Sequence, residues 1–154
     1  MRIIVFSDTH GNFDGCIKVL INIIDVDMVL HAGDHIKDAQ RLEAIFPDIP
    51  FFYVPGNCDY SEKAQDLIIT AEGKQIFLTH GHAYAVKYEY DYMTITNAAK
   101  EKGCALAVFG HTHLPLCDLS KEVGLLNPGS TKSSITYGVI EIENGILKAA
   151  VCPL

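Results

Sequence analysis

The chain has 154 residues, 49% hydrophobic and 20% charged, with 12 Lys and Arg against 19 Asp and Glu for a formal net charge of −7. That composition excludes a disordered, collagen-like or coiled-coil chain, and the acidic balance argues against a large nucleic-acid footprint, which would be basic. The length predicts one domain over 1–154, able to bury a core without covalent staples.

In chain order, residues 2–7 are an apolar strand that ends at Asp8. Phe13, Ile17, Leu20, Ile21 and Ile24 follow at helical spacing. Met28-Val29-Leu30 is a second strand, and Ile36, Ala39, Leu42 and Ile45 mark a second amphipathic helix. Residues 51–54 are a third strand, stopped by Pro55-Gly56. Residues 66–71 and 75–79 form a hairpin around Glu72-Gly73-Lys74. Tyr88, Tyr92, Ile95 and Ala99 predict a third helix closed by Gly103, before a strand at 105–109. Strands alone follow, at about 115–119, 123–127, 136–143 and 146–151, the last two joined by Asn144-Gly145. The pattern predicts an α/β fold, a layered sandwich of mixed sheets with helices outside.

The apolar run before Asp8 is too short for a signal peptide, and Asp25 and Asp27 break the longest apolar region, so no membrane span is expected. Cys16, Cys58, Cys104, Cys117 and Cys152 are odd in number and form no C-x-x-C pair. They predict reduced thiols and a cytoplasmic protein.

Five apolar runs end in polar clusters: Asp8-Thr9-His10, Asp34, Asn57, His80 and His111-Thr112-His113. Ligands of open α/β sheets bind at the carboxyl ends of strands. If the five strands are neighbours, their ends converge on one edge. The donors Asp8, His10, Asp34, Asn57, His80, His111 and His113 suit two divalent cations, with four protein bonds to each if Asp34 bridges. At i and i+2 in extended chain, Asp8 and His10 share a side, as do His111 and His113. Mixed N/O ligation without thiolate fits Mn²⁺, with Ni²⁺, Fe²⁺, Co²⁺ and Zn²⁺ as alternatives, and four imidazoles make Mg²⁺ unnatural. Two such ions leave a small formal positive charge in an acidic protein, a place for an anionic phosphodiester.

In order and spacing, Asp8-Thr9-His10, Gly33-Asp34, Gly56-Asn57-Cys58-Asp59, His80-Gly81-His82 and Gly110-His111-Thr112-His113 resemble the calcineurin-like metallophosphoesterases, from residue 1 to about 130. The small size and the Gly-Asn-Cys-Asp version look like that family's compact archaeal and bacterial phosphodiesterases. The resemblance implies two mixed β-sheets flanked by helices. It also implies a phosphodiesterase whose binuclear centre holds a bridging hydroxide as nucleophile. On the family pattern Asp8, His10, Asp34 and His113 hold one metal, and Asp34, Asn57, His80 and His111 the other. Asp34, Asn57, Cys58 and Asp59 are the candidate catalytic residues. Many members carry His where this chain has Cys58, and a thiol is a poor substitute for imidazolium as an acid. A slow enzyme that favours good leaving groups follows. The rivals are a nuclease, which the −7 charge disfavours, and a non-catalytic scaffold. The retromer scaffold subunit resembles this fold but lacks a complete ligand set, whereas no ligand position is missing here.

The remaining residues have plainer readings beside the functional ones. His31 reads as a core histidine. His82 shares a face with His80 in extended chain and is a candidate substrate contact. Asn12 is either an N-cap or an anion contact at the first helix. Asn127-Pro128-Gly129-Ser130 is a turn, which the resemblance places near the metals. Tyr84, Tyr88, Tyr90 and Tyr92 pack a helix on the sheet, or line a substrate pocket or a contact in a homo-oligomer. Cys104, Cys117 and Cys152 read as small buried apolar residues.

Overall fold

The structure, a computed structural model, describes residues 1–60 and 65–154. Its elements are β1 (Arg2–Phe6), α1 (Asp14–Asn22), β2 (Met28–His31), α2 (Ile36–Ile45), β3 (Phe51–Tyr53), β4 (Leu67–Ala71), β5 (Lys74–Leu78), a 3₁₀ turn (His82–Tyr84), α3 (Met93–Glu101), β6 (Leu106–Val108), β7 (Leu116–Asp118), β8 (Gly124–Asn127), β9 (Thr136–Glu143) and β10 (Ile146–Pro153).

The strands form two mixed sheets, ordered β10-β9-β1-β2-β3 and β4-β5-β6-β8-β7. β1, β2 and β3 pair in parallel, as do β5, β6 and β8, and the hairpin strands add antiparallel edges. β1 is nearly continuous apolar sequence because the interior covers both of its faces. Ile3 and Val5 point between the sheets with Leu30, Leu78, Val108 and Ile140, while Ile4 and Phe6 turn outward onto α1 and α2 with Cys16 and Leu42. A third cluster packs α3 on the second sheet through Phe77, Ile95, Ala99 and Phe109. Each fully buried Leu or Ile side chain in these layers is worth about 1.5–3 kcal/mol. Glu72-Gly73 and Asn144-Gly145 both take left-handed φ at each position (47° and 76°, 52° and 77°), the two-residue turn that matches strand twist.

The five site-bearing strands divide between the two sheets, β1, β2 and β3 in the first and β5 and β6 in the second. Three expectations are corrected. Burial on α1 follows Cys16, Val19 and Leu20, leaving Ile21 and Ile24 outside at 67% and 75% exposure. The third helix begins at Met93, not at Tyr88, because Glu89 accepts the Thr94 N–H at 2.8 Å and Tyr92 takes a left-handed φ of 56°. Cys104 is buried, but Cys117 and Cys152 lie on the edge strands β7 and β10, exposed and half-exposed.

His31 is fully buried, its Nδ1 accepting the Gly33 N–H at 3.2 Å and its Nε2 3.4 Å from Thr9 Oγ1. Burial holds its pKa down at about 4, against an ordinary 6.5. Below about pH 6.5 the unfolded chain takes up a proton that the folded one refuses. Stability present above that pH is therefore lost as pH falls toward 4, by about 3 kcal/mol from this group. Asp8 works in the opposite sense, since burial raises its carboxyl to about 6. The comparison with His31→Gln isolates the histidine. In chelated protein, thermal unfolding should show a shallower loss between pH 6.5 and 4 for the variant than for wild type, and parallel curves would overturn this account.

Candidate metal centre

The parallel strands of both sheets bring their carboxyl ends to one place. His80, after β5, directs Nδ1 to the Ala32 carbonyl after β2 at 2.7 Å, and the His111 N–H, after β6, donates to Asp8 Oδ2 at 3.1 Å. These bonds tie the sheets together at the site. The turns themselves are strained. Asp8, His10, Asp34, His111 and His113 all have left-handed φ, between 44° and 66°, which side chains adopt only where the surroundings impose it. The extended-chain spacing expected for Asp8/His10 and for His111/His113 is therefore wrong in detail. Tight turns, not strands, carry these pairs.

On one side Asp8, His10, Asp34 and His113 each offer one ligand atom, all within 4.8 Å of one another. Asp8 is fully buried. Its Oδ2 accepts from Ser7 Oγ at 2.5 Å and from His111 N–H, but its Oδ1 has no hydrogen bond, although His113 Nε2 stands 3.0 Å away. His10 Nε2 lies 3.6 Å from Asp34 Oδ2. On the other side His80 Nε2 lies 3.0 Å from Asn57 Oδ1 and 3.4 Å from Asp34 Oδ1, with the His111 ring centroid 5.0 Å from its own. Asp34 thus faces both groups, one oxygen to each. His111 and His113 part company, His113 toward Asp8 and His111 toward His80.

Desolvation comes first in lowering the pKa values of His10, His80, His111 and His113, with His111 held down at about 4. His80 directs Nδ1–H to the Ala32 carbonyl, which leaves Nε2 facing the oxygens of Asn57 and Asp34. Burial would raise the Asp34 carboxyl, but His80 and the Cys58 N–H, 2.8 Å from Oδ1, outweigh it and the net shift is downward. Asp8 Oδ1 is an orphaned buried acceptor. Imidazole nitrogens with depressed pKa values converging on carboxylate oxygens, one of them orphaned, are the environment of a divalent cation, and the donor set fits one.

Support comes from residues that motif spacing did not single out. Asp38 accepts Thr9 Oγ1–H and Gly11 N–H, both at 2.8 Å, and so fixes the turn that carries His10. Asn127 donates to the Gly110 carbonyl at 2.9 Å and to Thr112 Oγ1 at 3.0 Å, and Ser130 Oγ donates to the Asp8 carbonyl at 2.8 Å. The 127–130 turn is therefore packed against the site. Asp38 had a signal: it falls on the buried stripe of α2 with Ala39 and Leu42. Asp59 accepts the Gly56 and Ile36 N–H groups at 2.9 and 3.0 Å, so its carboxylate orients the Asn57 turn. Asn12 is no N-cap. α1 has no side-chain cap, and Asn12 Nδ2 donates to the Thr131 carbonyl at 3.0 Å. His82 is not in extended chain, because Gly81 turns at φ 99°, yet its ring centroid lies 5.3 Å from that of His80 with the rings tilted at 53°, and its Nδ1 is buried without a partner among the described residues. Tyr84 and Tyr92 pack on Phe77 and Phe109, whereas Tyr88 and Tyr90 stand in solvent.

Residues 1–145 match the family model described as the calcineurin-like phosphoesterase superfamily domain. The chain belongs to that superfamily. It is 28% identical over 173 residues to phosphodiesterase YfcE of Escherichia coli K12, covering 92% of this chain and 88% of that one. A predicted phosphoesterase from Streptococcus pneumoniae has a solved structure that superposes with TM-score 0.78 at 27% identity, covering 99% and 88% of the two chains. A Vps29 from Entamoeba histolytica shares the fold at TM-score 0.73 and 17% identity, covering 100% and 99%. Among the described residues no helix is long and apolar enough to cross a membrane.

Two glycines of this calcineurin-like phosphoesterase domain are required by its carboxylates. A Cβ on Gly56 would stand 2.1 Å from Asp34 Oδ1, and one on Gly110 would stand 2.0 Å from Ser7 Oγ and 2.6 Å from Asp8 Oδ2. Gly56→Ala is expected to displace Asp34 and weaken Mn²⁺ binding by about 10–100-fold, the range for disturbing the groups that hold metal ligands, while the circular dichroism spectrum stays that of wild type. Unchanged affinity by calorimetry would refute the assignment.

Proposed function

We propose that the chain is a metal-dependent phosphodiesterase. Asp8, His10, Asp34 and His113 would hold one divalent ion and Asp34, Asn57, His80 and His111 a second. The observation that carries this reading is the convergence of His80 Nε2 on Asn57 Oδ1 and Asp34 Oδ1, at 3.0 and 3.4 Å, beside the orphaned Asp8 Oδ1. When bound, two such cations supply Lewis acidity toward a phosphoryl group and an acidified water as nucleophile.

The chain's own groups do the rest. Ala32 keeps the His80 lone pair aimed inward. The Cys58 N–H fixes one Asp34 oxygen and leaves the other free toward His10. His82, with its ring centroid 5.3 Å from that of His80 and 6.1 Å from that of His111, is the candidate substrate contact. Cys58 offers no strong acid. Burial and the carboxylate of Asp34 push its thiol up to about 11, so the alcohol departs with little protonation and aryl esters are favoured. The five thiols are unpaired, which supports a cytoplasmic setting.

Purified protein reconstituted with Mn²⁺ is expected to hold about two equivalents, as two-metal hydrolysis requires, and to hydrolyse bis(p-nitrophenyl) phosphate. Chelation should abolish turnover, and Mn²⁺ or Ni²⁺ should restore it. A metal-loaded protein inert toward every phosphate ester would favour the scaffold reading.

A further inference from the structure

A phosphodiester carries two ester groups, and two clefts border the candidate centre. One, of about 390 Å³, is lined by His35, Lys37, Cys58, Asp59 and Tyr60 and lies on the Asn57 side. The other, of about 540 Å³, is lined by Val86, Lys87, Glu89, Tyr90, Tyr92, Thr112 and Leu114, the Glu89 carboxylate being taken up by Thr94. It lies at the turn after β6, where Thr112 separates His111 from His113. The proposed function gives this second cleft nothing to do.

Its walls are fixed. The Tyr92 ring rests 5.2 Å from Phe109, and Thr96 Oγ1 donates to the Tyr92 carbonyl at 2.7 Å. Thr112 Oγ1 accepts from Asn127 and from the Leu114 N–H at 3.2 Å. Against these walls Tyr90 is fully exposed and Leu114 is 65% exposed. Single exposed apolar residues are ordinary. An exposed tyrosine, a tyrosine wall, a leucine and an ammonium group in one hollow beside a cation-binding donor set have the composition of a small-molecule site.

Resting on the phosphodiesterase reading above, we infer that this cleft seats the retained ester group of the substrate, and that the group it takes is a flat aromatic ring, aryl or nucleobase. Tyr90 and Tyr92 offer ring faces, Leu114 an apolar edge, and Lys87 a cation for a phosphoryl oxygen. The retained group belongs here because Cys58, the residue nearest the leaving group in the proposed reaction, lines the other cleft. In the reaction the water oxygen bonds to phosphorus as the P–O bond to the leaving phenolate breaks, one water proton stays on the aryl phosphate monoester and the other passes to solvent, and the monoester stays in the cleft until release.

The test compares phenyl p-nitrophenyl phosphate with methyl p-nitrophenyl phosphate, which share a leaving group. For Tyr90→Ala, kcat/KM on the phenyl ester should fall about tenfold further than on the methyl ester, the scale of stacking on one aromatic face. Thymidine 5′-(p-nitrophenyl phosphate) separates the two sources of the ring: a matching loss points to a nucleobase, and a loss confined to the phenyl ester points to a simple aryl group. Titration of Zn²⁺-loaded protein by NMR gives a readout without turnover. Phenyl phosphate should bind more tightly than methyl phosphate, and Tyr90→Ala should erase the preference. Equal losses on both esters, or no binding preference in wild type, would overturn the inference. Absence of turnover on either ester would instead overturn the phosphodiesterase reading, and the NMR preference would still report on the cleft.

Discussion

Asp34→Asn protein reconstituted with excess Mn²⁺ should hold about one equivalent of metal or less, against about two for wild type, and should hydrolyse bis(p-nitrophenyl) phosphate about 10³-fold more slowly, a loss of about 4 kcal/mol. The size of the effect follows from one side chain facing two ways. Oδ1 lies 3.4 Å from His80 Nε2 and Oδ2 lies 3.6 Å from His10 Nε2. An asparagine keeps one oxygen and replaces the other with an amide NH₂, which repels a cation. The Cys58 N–H donates to Oδ1, so it will hold the surviving oxygen on the His80 side. The NH₂ then points at His10, and the group of Asp8, His10 and His113 suffers most. Metal analysis and kinetics on the same preparation check both parts, with circular dichroism confirming that the fold is kept. Two equivalents with wild-type turnover would end the case for Asp34 as the shared ligand.

Much of this was legible because strand ends and turns leave local marks. The strand at 2–7, the glycine turns of both hairpins and the succession of strands after residue 105 follow from periodicity and turn chemistry, and the structure has them within a residue or two. The donors could be named because each closes an apolar run. What the sequence withheld was non-local. Nothing in the run after β5 shows that it lies in a different sheet from β1. The Ala32 carbonyl that orients His80 is 48 residues away, and the Ser130 hydroxyl that holds the Asp8 backbone is 122 away. The tyrosines at 84–92 misled because helical spacing is a weak signal where a Glu89 side chain can take the first N–H groups of the next helix. Asp38 was passed over because a lone Asp on a helix is usually solvated, and only the packed turn above it shows why it is buried.

Cys58→His should turn a selective enzyme into a broader one. On bis(p-nitrophenyl) phosphate, whose leaving group needs no proton, turnover should change by less than about threefold. On diphenyl phosphate, whose phenolate is a poorer leaving group, it should rise about 10²-fold, the lower end of general acid catalysis. The surroundings favour the imidazolium form. The carboxylates of Asp34, Asp59 and Asp8, which together with burial push the Cys58 thiol up to about 11, would likewise hold a histidine protonated there. Bound cations would offset Asp34 and Asp8, whereas Asp59 accepts the Gly56 and Ile36 N–H groups and lies beside the new ring. The Cys58 N–H to Asp34 bond is a backbone contact and survives the substitution, so the metal-binding geometry is not altered by it. The decisive measurement is the dependence of kcat on leaving-group basicity across a series of substituted phenyl esters. It should be steep for wild type and shallow for the variant, and the variant alone should lose its advantage as pH rises above the imidazolium pKa. Equal slopes would mean that the thiol is not what limits the reaction, and that departure of the alcohol is assisted from elsewhere in the site.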